Sequence, residues 1–165
     1  MKNSGALKIS TPTERELVMT RAFEAPRALV FEALTRPELL QRWLNGAPGW
    51  WLAVCEIDLR VGGSYRYVWR GSEGEEMGMG GVYREIVVPE RVVATEKFDD
   101  PWYPGEALVT MALTEEAGRT TLTQTVLYQS REALEGVLKS PMEGGVAYSY
   151  DRLEELLASL VEKEA

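Results

Sequence analysis

The segment Val146-Ala147-Tyr148-Ser149-Tyr150-Asp151-Arg152-Leu153-Glu154-Glu155-Leu156-Leu157-Ala158-Ser159-Leu160 carries the strongest periodic signal in the chain. Val146, Tyr150, Leu153, Leu157 and Leu160 recur at intervals of four, three, four and three, which places them on one helical face. Ala147 and Leu156 broaden that stripe, while Asp151, Arg152, Glu155, Glu162 and Lys163 fall on the opposite side. The spacing predicts an amphipathic helix of roughly 20 residues. A single apolar face of that length has to lie on something.

Working back from this helix, Ser140-Pro141 can start it, and Gly144-Gly145 falls near its entrance. The glycine pair is expected to bend that entrance or to let another backbone approach closely. Ser130 is suited to cap a shorter helix carrying Leu134, Val137 and Leu138, with Glu132 and Glu135 in its early turns.

The middle of the chain has a period of two. Ala53, Cys55, Ile57 and Leu59 alternate with Glu56, Asp58 and Arg60, and Tyr65, Tyr67 and Trp69 alternate with Arg66, Val68 and Arg70. Between them, Val61-Gly62-Gly63-Ser64 signals a turn. Further strands are expected over 79–88, 91–98, 106–113 and 120–128, each bounded by short turn sequences. Gly78, Gly80 and Gly81 mark a site for a bulge or strong sheet curvature. No helical pattern separates neighbouring strands, so parallel crossovers are not expected.

Near the N-terminus, residues 14–23 alternate, with Leu17, Met19 and Phe23 on one parity. Pro26 opens a helix through Leu29, Val30, Ala33 and Leu34, and Pro37 opens a second through Leu39, Leu40 and Trp43. Residues 1–13 are read as a flexible tail and 14–163 as one domain. The order is thus one strand, two short helices, six strands and a long terminal helix. The pattern predicts an α+β fold, an antiparallel sheet with its helices gathered on one side.

Composition narrows the chemistry. The 165 residues carry 26 acidic and 18 basic side chains, a formal net charge of −8. A phosphate-backbone binder needs the opposite balance, so no nucleic-acid partner is expected. With no histidine, the chain lacks the usual proton shuttle and the usual zinc and haem ligand. Cys55 is the single cysteine, which excludes an internal disulfide. It is read as a small hydrophobe, because a nucleophilic thiol needs a nearby base. No apolar run is long enough for a membrane span, and residues 1–10 contain no signal-like hydrophobic segment. A cytoplasmic location is expected, with no cofactor, metal or stable membrane insertion.

Several segments in order resemble a known family. They are Arg21-Ala22-Phe23-Glu24-Ala25-Pro26, Val30-Phe31-Glu32-Ala33-Leu34-Thr35 and Pro37-Glu38-Leu39-Leu40-Gln41-Arg42-Trp43. Asp58-Leu59-Arg60-Val61-Gly62-Gly63-Ser64-Tyr65-Arg66, Gly81-Val82-Tyr83-Arg84-Glu85-Ile86 and Pro89-Glu90-Arg91-Val92 follow. Thr120-Thr121-Leu122-Thr123 and Asp151-Arg152-Leu153-Glu154-Glu155-Leu156-Leu157 complete the pattern. Over residues 14–160 the chain resembles the START-related, birch-allergen-like superfamily. It is most similar to homologues of the activator of the 90-kDa heat-shock protein ATPase.

The resemblance implies a helix-grip fold, a curved seven-stranded antiparallel sheet wrapped around the C-terminal helix, enclosing a hydrophobic cavity. The candidate cavity residues are then Trp43, Trp50, Cys55, Tyr65, Tyr67, Trp69, Tyr83, Phe98, Trp102, Met111, Val146 and Tyr150. Their aromatic rings are suited to an apolar ligand, with Tyr hydroxyls and Trp N–H groups as polar handles. Met77, Met79 and Met142 add adaptable walls. Relatives often carry Trp where this chain has Val146, which is expected to enlarge or reshape the interior.

Three functions follow as alternatives. The leading one is binding of a small hydrophobic ligand such as a lipid, polyketide or aromatic metabolite. The second is a chaperone-associated or regulatory role through a protein partner. The third is a cyclase- or dehydratase-like activity, for which Glu56, Asp58, Glu75, Glu76, Glu85 and Glu96 are the carboxylates to examine. Non-enzymatic binding is preferred, with no catalytic residue assigned and the oligomeric state left open.

Overall fold

The inward-facing residues of the alternating segments form one surface of a single antiparallel sheet, and the helices cover it. The computed structural model describes residues 6–100 and 105–164. In chain order the elements are β1 (Lys8–Ser10), β2 (Glu16–Phe23), α1 (Arg27–Thr35), α2 (Pro37–Trp43), β3 (Trp50–Ile57) and β4 (Ser64–Gly71). There follow β5 (Glu76–Val87), β6 (Arg91–Phe98), β7 (Ala107–Glu116), β8 (Arg119–Leu127), α3 (Arg131–Leu138) and α4 (Met142–Glu164).

The strands lie in the order β1-β2-β8-β7-β6-β5-β4-β3, and every neighbouring pair is antiparallel. The α+β helix-grip fold expected from the sequence is the observed one, with α4 lying against the sheet's concave face. The strand count is eight among the described residues rather than seven. The addition is β1, where Ile9 pairs with Met19 along the outer edge of β2. Part of the segment read as a tail is therefore strand. Three residues are too few for alternation to register, although pairing there covers N–H and C=O groups that an edge leaves open.

The two short helices are separated by Arg36 alone, which is extended (φ −98°, ψ 122°). That is the conformation imposed on a residue preceding proline. The indole N–H of Trp43 donates to the Ala33 carbonyl at 2.9 Å, tying α2 back onto α1. Ser130 caps α3 as expected, its hydroxyl accepting from the Ala133 N–H at 3.0 Å.

Gly144 and Gly145 lie within the first turn of α4 and do not interrupt it. A Cβ on Gly145 would lie 2.8 Å from the Gly46 carbonyl oxygen, so close backbone approach is the role the pair fills. Gly81 is tighter still: a Cβ there would collide with the Thr95 carbonyl oxygen, inside the β5–β6 pairing. The register of that pairing shifts just beyond, between Tyr83 and Glu85.

Two apolar clusters form the core. The larger joins Phe23, Val30, Leu40, Trp43, Leu153 and Leu157, and the second joins Leu17, Met19, Val109, Val126, Leu134 and Val137. Phe98, Met111 and Val146 pack against both clusters. The helical stripe read from the sequence is the buried one: Tyr150, Leu153, Leu156 and Leu157 are all buried.

Candidate functional site

The space between the two core clusters is a cavity of about 690 Å³. It lies between the sheet's concave face and the first turns of α4, within the 300–1,000 Å³ range of small-molecule pockets. Its walls follow from the alternation of the strands. From β4 come Tyr65, Tyr67 and Trp69, from β5 Met77, Met79 and Tyr83, and from β6 Val92, Ala94, Glu96 and Phe98. From β7 and β8 come Val109, Met111, Gln124 and Val126, and from β2 Leu17 and Met19. Along α4, Val146, Ser149 and Tyr150 face the same space. Leu44 to Pro48, between α2 and β3, Ser140 and Pro141, between α3 and α4, and Met142 at the start of α4 border it as well.

Of the candidate residues, Trp43, Trp50, Tyr65, Tyr67, Trp69, Tyr83, Phe98, Met111, Val146 and Tyr150 all line this cavity. Met77, Met79 and Met142 join them. Trp102 lies outside the described residues. Cys55 is a correction: it is half-buried against the larger cluster but does not reach the cavity. It stands opposite Tyr67 on β3, the last strand of the sheet, at the margin of the cavity wall. A bulge between Leu52 and Val54 resets the parity of β3, so that Leu52 also faces inward, opposite Trp69. Burial pushes the Cys55 thiol up to about 11, with a smaller push from the Glu38 charge.

The aromatic wall is a connected stack. Ring centroids lie 5.1 Å apart for Tyr65–Tyr67, 5.4 Å for Tyr65–Tyr83 and 5.9 Å for Tyr67–Trp69. These separations fall within the favourable range for tilted and edge-on pairs. In the core beside the cavity, Phe23 meets Tyr150 edge-on at 5.8 Å. Burial raises the phenol of Tyr67 far above its ordinary value, and the neighbouring Tyr83 and Tyr65 add to the effect. Burial likewise raises Tyr83 and Tyr150. All three phenols are neutral hydrogen-bonding groups at physiological pH.

Several polar handles expected to point at a ligand are engaged within the protein. The Trp69 N–H donates to the Leu44 carbonyl at 2.9 Å, and the Tyr65 hydroxyl donates to the Thr95 carbonyl at 2.6 Å. The Tyr150 hydroxyl donates to Gln124 Oε1 at 2.8 Å. The carboxylate candidates also sort clearly. Of Glu56, Asp58, Glu75, Glu76, Glu85 and Glu96, only Glu96 lines the cavity. Asp58, Glu76 and Glu85 hold Arg60, Arg70 and Arg91 in ion pairs.

Asn45 and Gln124 line the cavity without having been singled out in the sequence. Gln124 sits on the inward parity of β8, two residues from Leu122 and Val126, and that alternation is a signal that could have found it. Asn45 lies in an irregular loop with no periodicity to mark it. Among the described residues, no group of three or more Asp, Glu, Cys or His side chains is placed to hold a metal ion. No described helix is long and apolar enough to cross a membrane.

Residues 24–158 match a family model described as Activator of Hsp90 ATPase homolog 1-like protein. A crystal structure of a Rhodobacter sphaeroides protein is similar at 33% identity and a TM-score of 0.88, over 94% of this chain and 99% of that one. A Nitrosomonas europaea protein is similar at 26% identity and a TM-score of 0.80, over 94% and 100% of the two chains. An HSP90 activator from Plasmodium falciparum shares the fold at 21% identity and a TM-score of 0.54, over 76% of this chain and 88% of that one. No curated protein matches the chain.

Proposed function

This chain belongs to the Activator of Hsp90 ATPase homolog 1-like family, and from that membership we propose that it binds a small, predominantly hydrophobic molecule in the cavity between its sheet and α4. The observation that carries this reading is the cavity itself, about 690 Å³ and walled mainly by aromatic and aliphatic side chains. Apolar surface moved from water into such a space gains roughly 25 cal/mol per Å². A ligand burying about 300 Å² would therefore gain about 7 kcal/mol gross. Lost translational and rotational freedom takes back about 4 kcal/mol or more. Hydrophobic burial alone thus gives weak binding, and shape fit with one or two polar contacts sets the affinity.

The test is direct. Protein purified under native conditions is extracted with organic solvent and the extract analysed by mass spectrometry, alongside titration of tryptophan fluorescence with lipids and aromatic compounds. Saturable binding at one molecule per chain supports the proposal. Absence of both a co-purified molecule and any saturable titration defeats it.

A second reading, regulation of a protein partner through the outer surface, is favoured by the family description and by the HSP90 activator that shares the fold. It predicts reproducible enrichment of a chaperone in pull-downs at native salt. Enrichment that is absent, or unaltered by changes to the outer face of the sheet, counts against it.

A further inference from the structure

Glu96 is the one Asp, Glu, Lys or Arg side chain among the described residues that line the cavity. It projects from β6 on the same parity as Val92, Ala94 and Phe98, so the strand's alternation aims a carboxylate into an apolar space. It lies close enough to Tyr67 for its charge to contribute to the raised phenol. Among the described residues, no Lys or Arg lines the space. An anionic head group would therefore find no positive charge there, and it would meet one of its own sign.

The neutral polar groups are partly engaged. The N–H groups of Trp43 and Trp69 and the hydroxyls of Tyr65 and Tyr150 already donate to acceptors within the protein. Tyr67, Tyr83, Ser149 and Gln124 also bring O–H and N–H groups to the lining, and two acceptors stand beside them. Asn45 Oδ1 is buried at the cavity wall without a hydrogen-bond partner. An ionised carboxylate offers about four lone-pair sites, so Glu96 accepts further donors beside any it already holds.

On the ligand-binding reading above, we propose that the cavity selects an apolar molecule whose head donates hydrogen bonds and carries no negative charge. A primary amine is the best-fitting head, an alcohol is next, and a carboxylate is rejected. The amine pairs with Glu96 and donates its remaining N–H groups, whereas two carboxylates at hydrogen-bonding distance repel in a space with little water to screen them. The apolar body lies along the tyrosine and methionine walls. Fatty acids, although their hydrocarbon would fit, are poor ligands.

The experiment compares n-decylamine, n-decanol and n-decanoate, each below its micelle concentration, by calorimetry and tryptophan fluorescence. The hydrocarbon is constant, so head-group chemistry alone ranks them. High ionic strength, where the Debye length falls to about 3 Å, suppresses attraction of the amine to the acidic surface. The expected result is saturable binding at one per chain, with the amine at least tenfold tighter than the carboxylate and the alcohol between them. Glu96→Gln, checked for folding by its thermal melt, is expected to shrink the amine-to-carboxylate ratio at least tenfold.

Decanoate binding as tightly as decylamine to the wild-type chain overturns the proposal, whether or not the variant folds. So does a ratio unchanged in a folded Glu96→Gln. Either result leaves the ligand-binding reading standing, because the hydrocarbon still binds. Failure of all three probes to bind removes both.

Discussion

Arg21 and Glu154 meet across the interior, the guanidinium Nη2 of Arg21 donating to Glu154 Oε1 at 2.9 Å. Arg21 is 2% exposed and Glu154 8%, so this is a buried link between β2 and α4. A second arm runs from Arg21 Nη1 to Asp151 Oδ1 at 3.0 Å, but the Asp151 side chain is 62% exposed. The same guanidinium carbon sits 5.3 Å from the centre of the Phe23 ring. One cation thus fixes the rotation of α4 over the strand.

The two arms should differ in worth. Removing one partner of a buried pair strands a charge and costs about 3–5 kcal/mol, whereas an exposed pair contributes about 0–1 kcal/mol. Glu154→Ala is therefore expected to lower the urea midpoint strongly, and Asp151→Ala to lower it little. Equal midpoints for the two variants would show that Arg21 is served by solvent rather than by Glu154.

This link also marks a boundary of what the sequence discloses. The α4 stripe was readable because five apolar residues repeat over four turns, and the strands because Tyr65, Tyr67 and Trp69 alternate without interruption. Arg21 shares the inward parity of Leu17, Met19 and Phe23, yet a lone arginine in an apolar row reads as a break until its partners are known. Those partners lie more than 120 residues away, and periodicity carries no information over that distance. The cavity lining was largely legible for the same reason as the strands. Cys55 was the exception: its parity matches that of its partner Tyr67, but its place on the last strand of the sheet leaves no trace in residue spacing.

Tyr67 and Trp69 stand on one face of β4 but should respond differently to truncation. Trp69 is 7% exposed and its N–H is held by Leu44, so Trp69→Ala is expected to cost about 3–5 kcal/mol. Tyr67 borders the open cavity, so Tyr67→Ala leaves less new void and should cost less while weakening probe binding. Denaturant melts paired with decylamine titrations check both. A reversed order of stabilities would mean that the cavity is closed at Tyr67.

Alkaline pH should destabilise the protein through its buried phenols. Tyr67, Tyr83 and Tyr150 have folded-state values raised by burial, so the unfolded chain releases these protons first. The stabilisation is complete below the ordinary phenol value of about 10 and is lost as pH climbs through the raised values. Absorbance at the phenolate band should show these three ionising only with unfolding. Smooth ionisation of all 7 tyrosines near pH 10 in a folded chain would contradict their burial.

Cys55 should be sluggish towards thiol reagents. With its thiol raised to about 11, only on the order of one molecule in a thousand is thiolate at pH 8. Modification is expected to be far slower than for a free thiol and to accelerate sharply in denaturant. Rapid labelling of the native protein would mean that the edge strand β3 opens readily.

Val146 provides the test that separates empty space from packed core. It is half-buried, faces the cavity from α4 and touches both apolar clusters. Val146→Trp inserts a far larger apolar body at that point. In a filled interior, such overpacking costs about 1–3 kcal/mol. Into a cavity of about 690 Å³ the indole should fit, leaving the melting temperature unchanged or raised while decylamine binding falls at least tenfold. Calorimetry and thermal melts on the same sample read both effects, and they are diagnostic together. Destabilisation with binding retained would place the ligand elsewhere, whereas stability gained as binding is lost locates it between Val146 and the tyrosine wall.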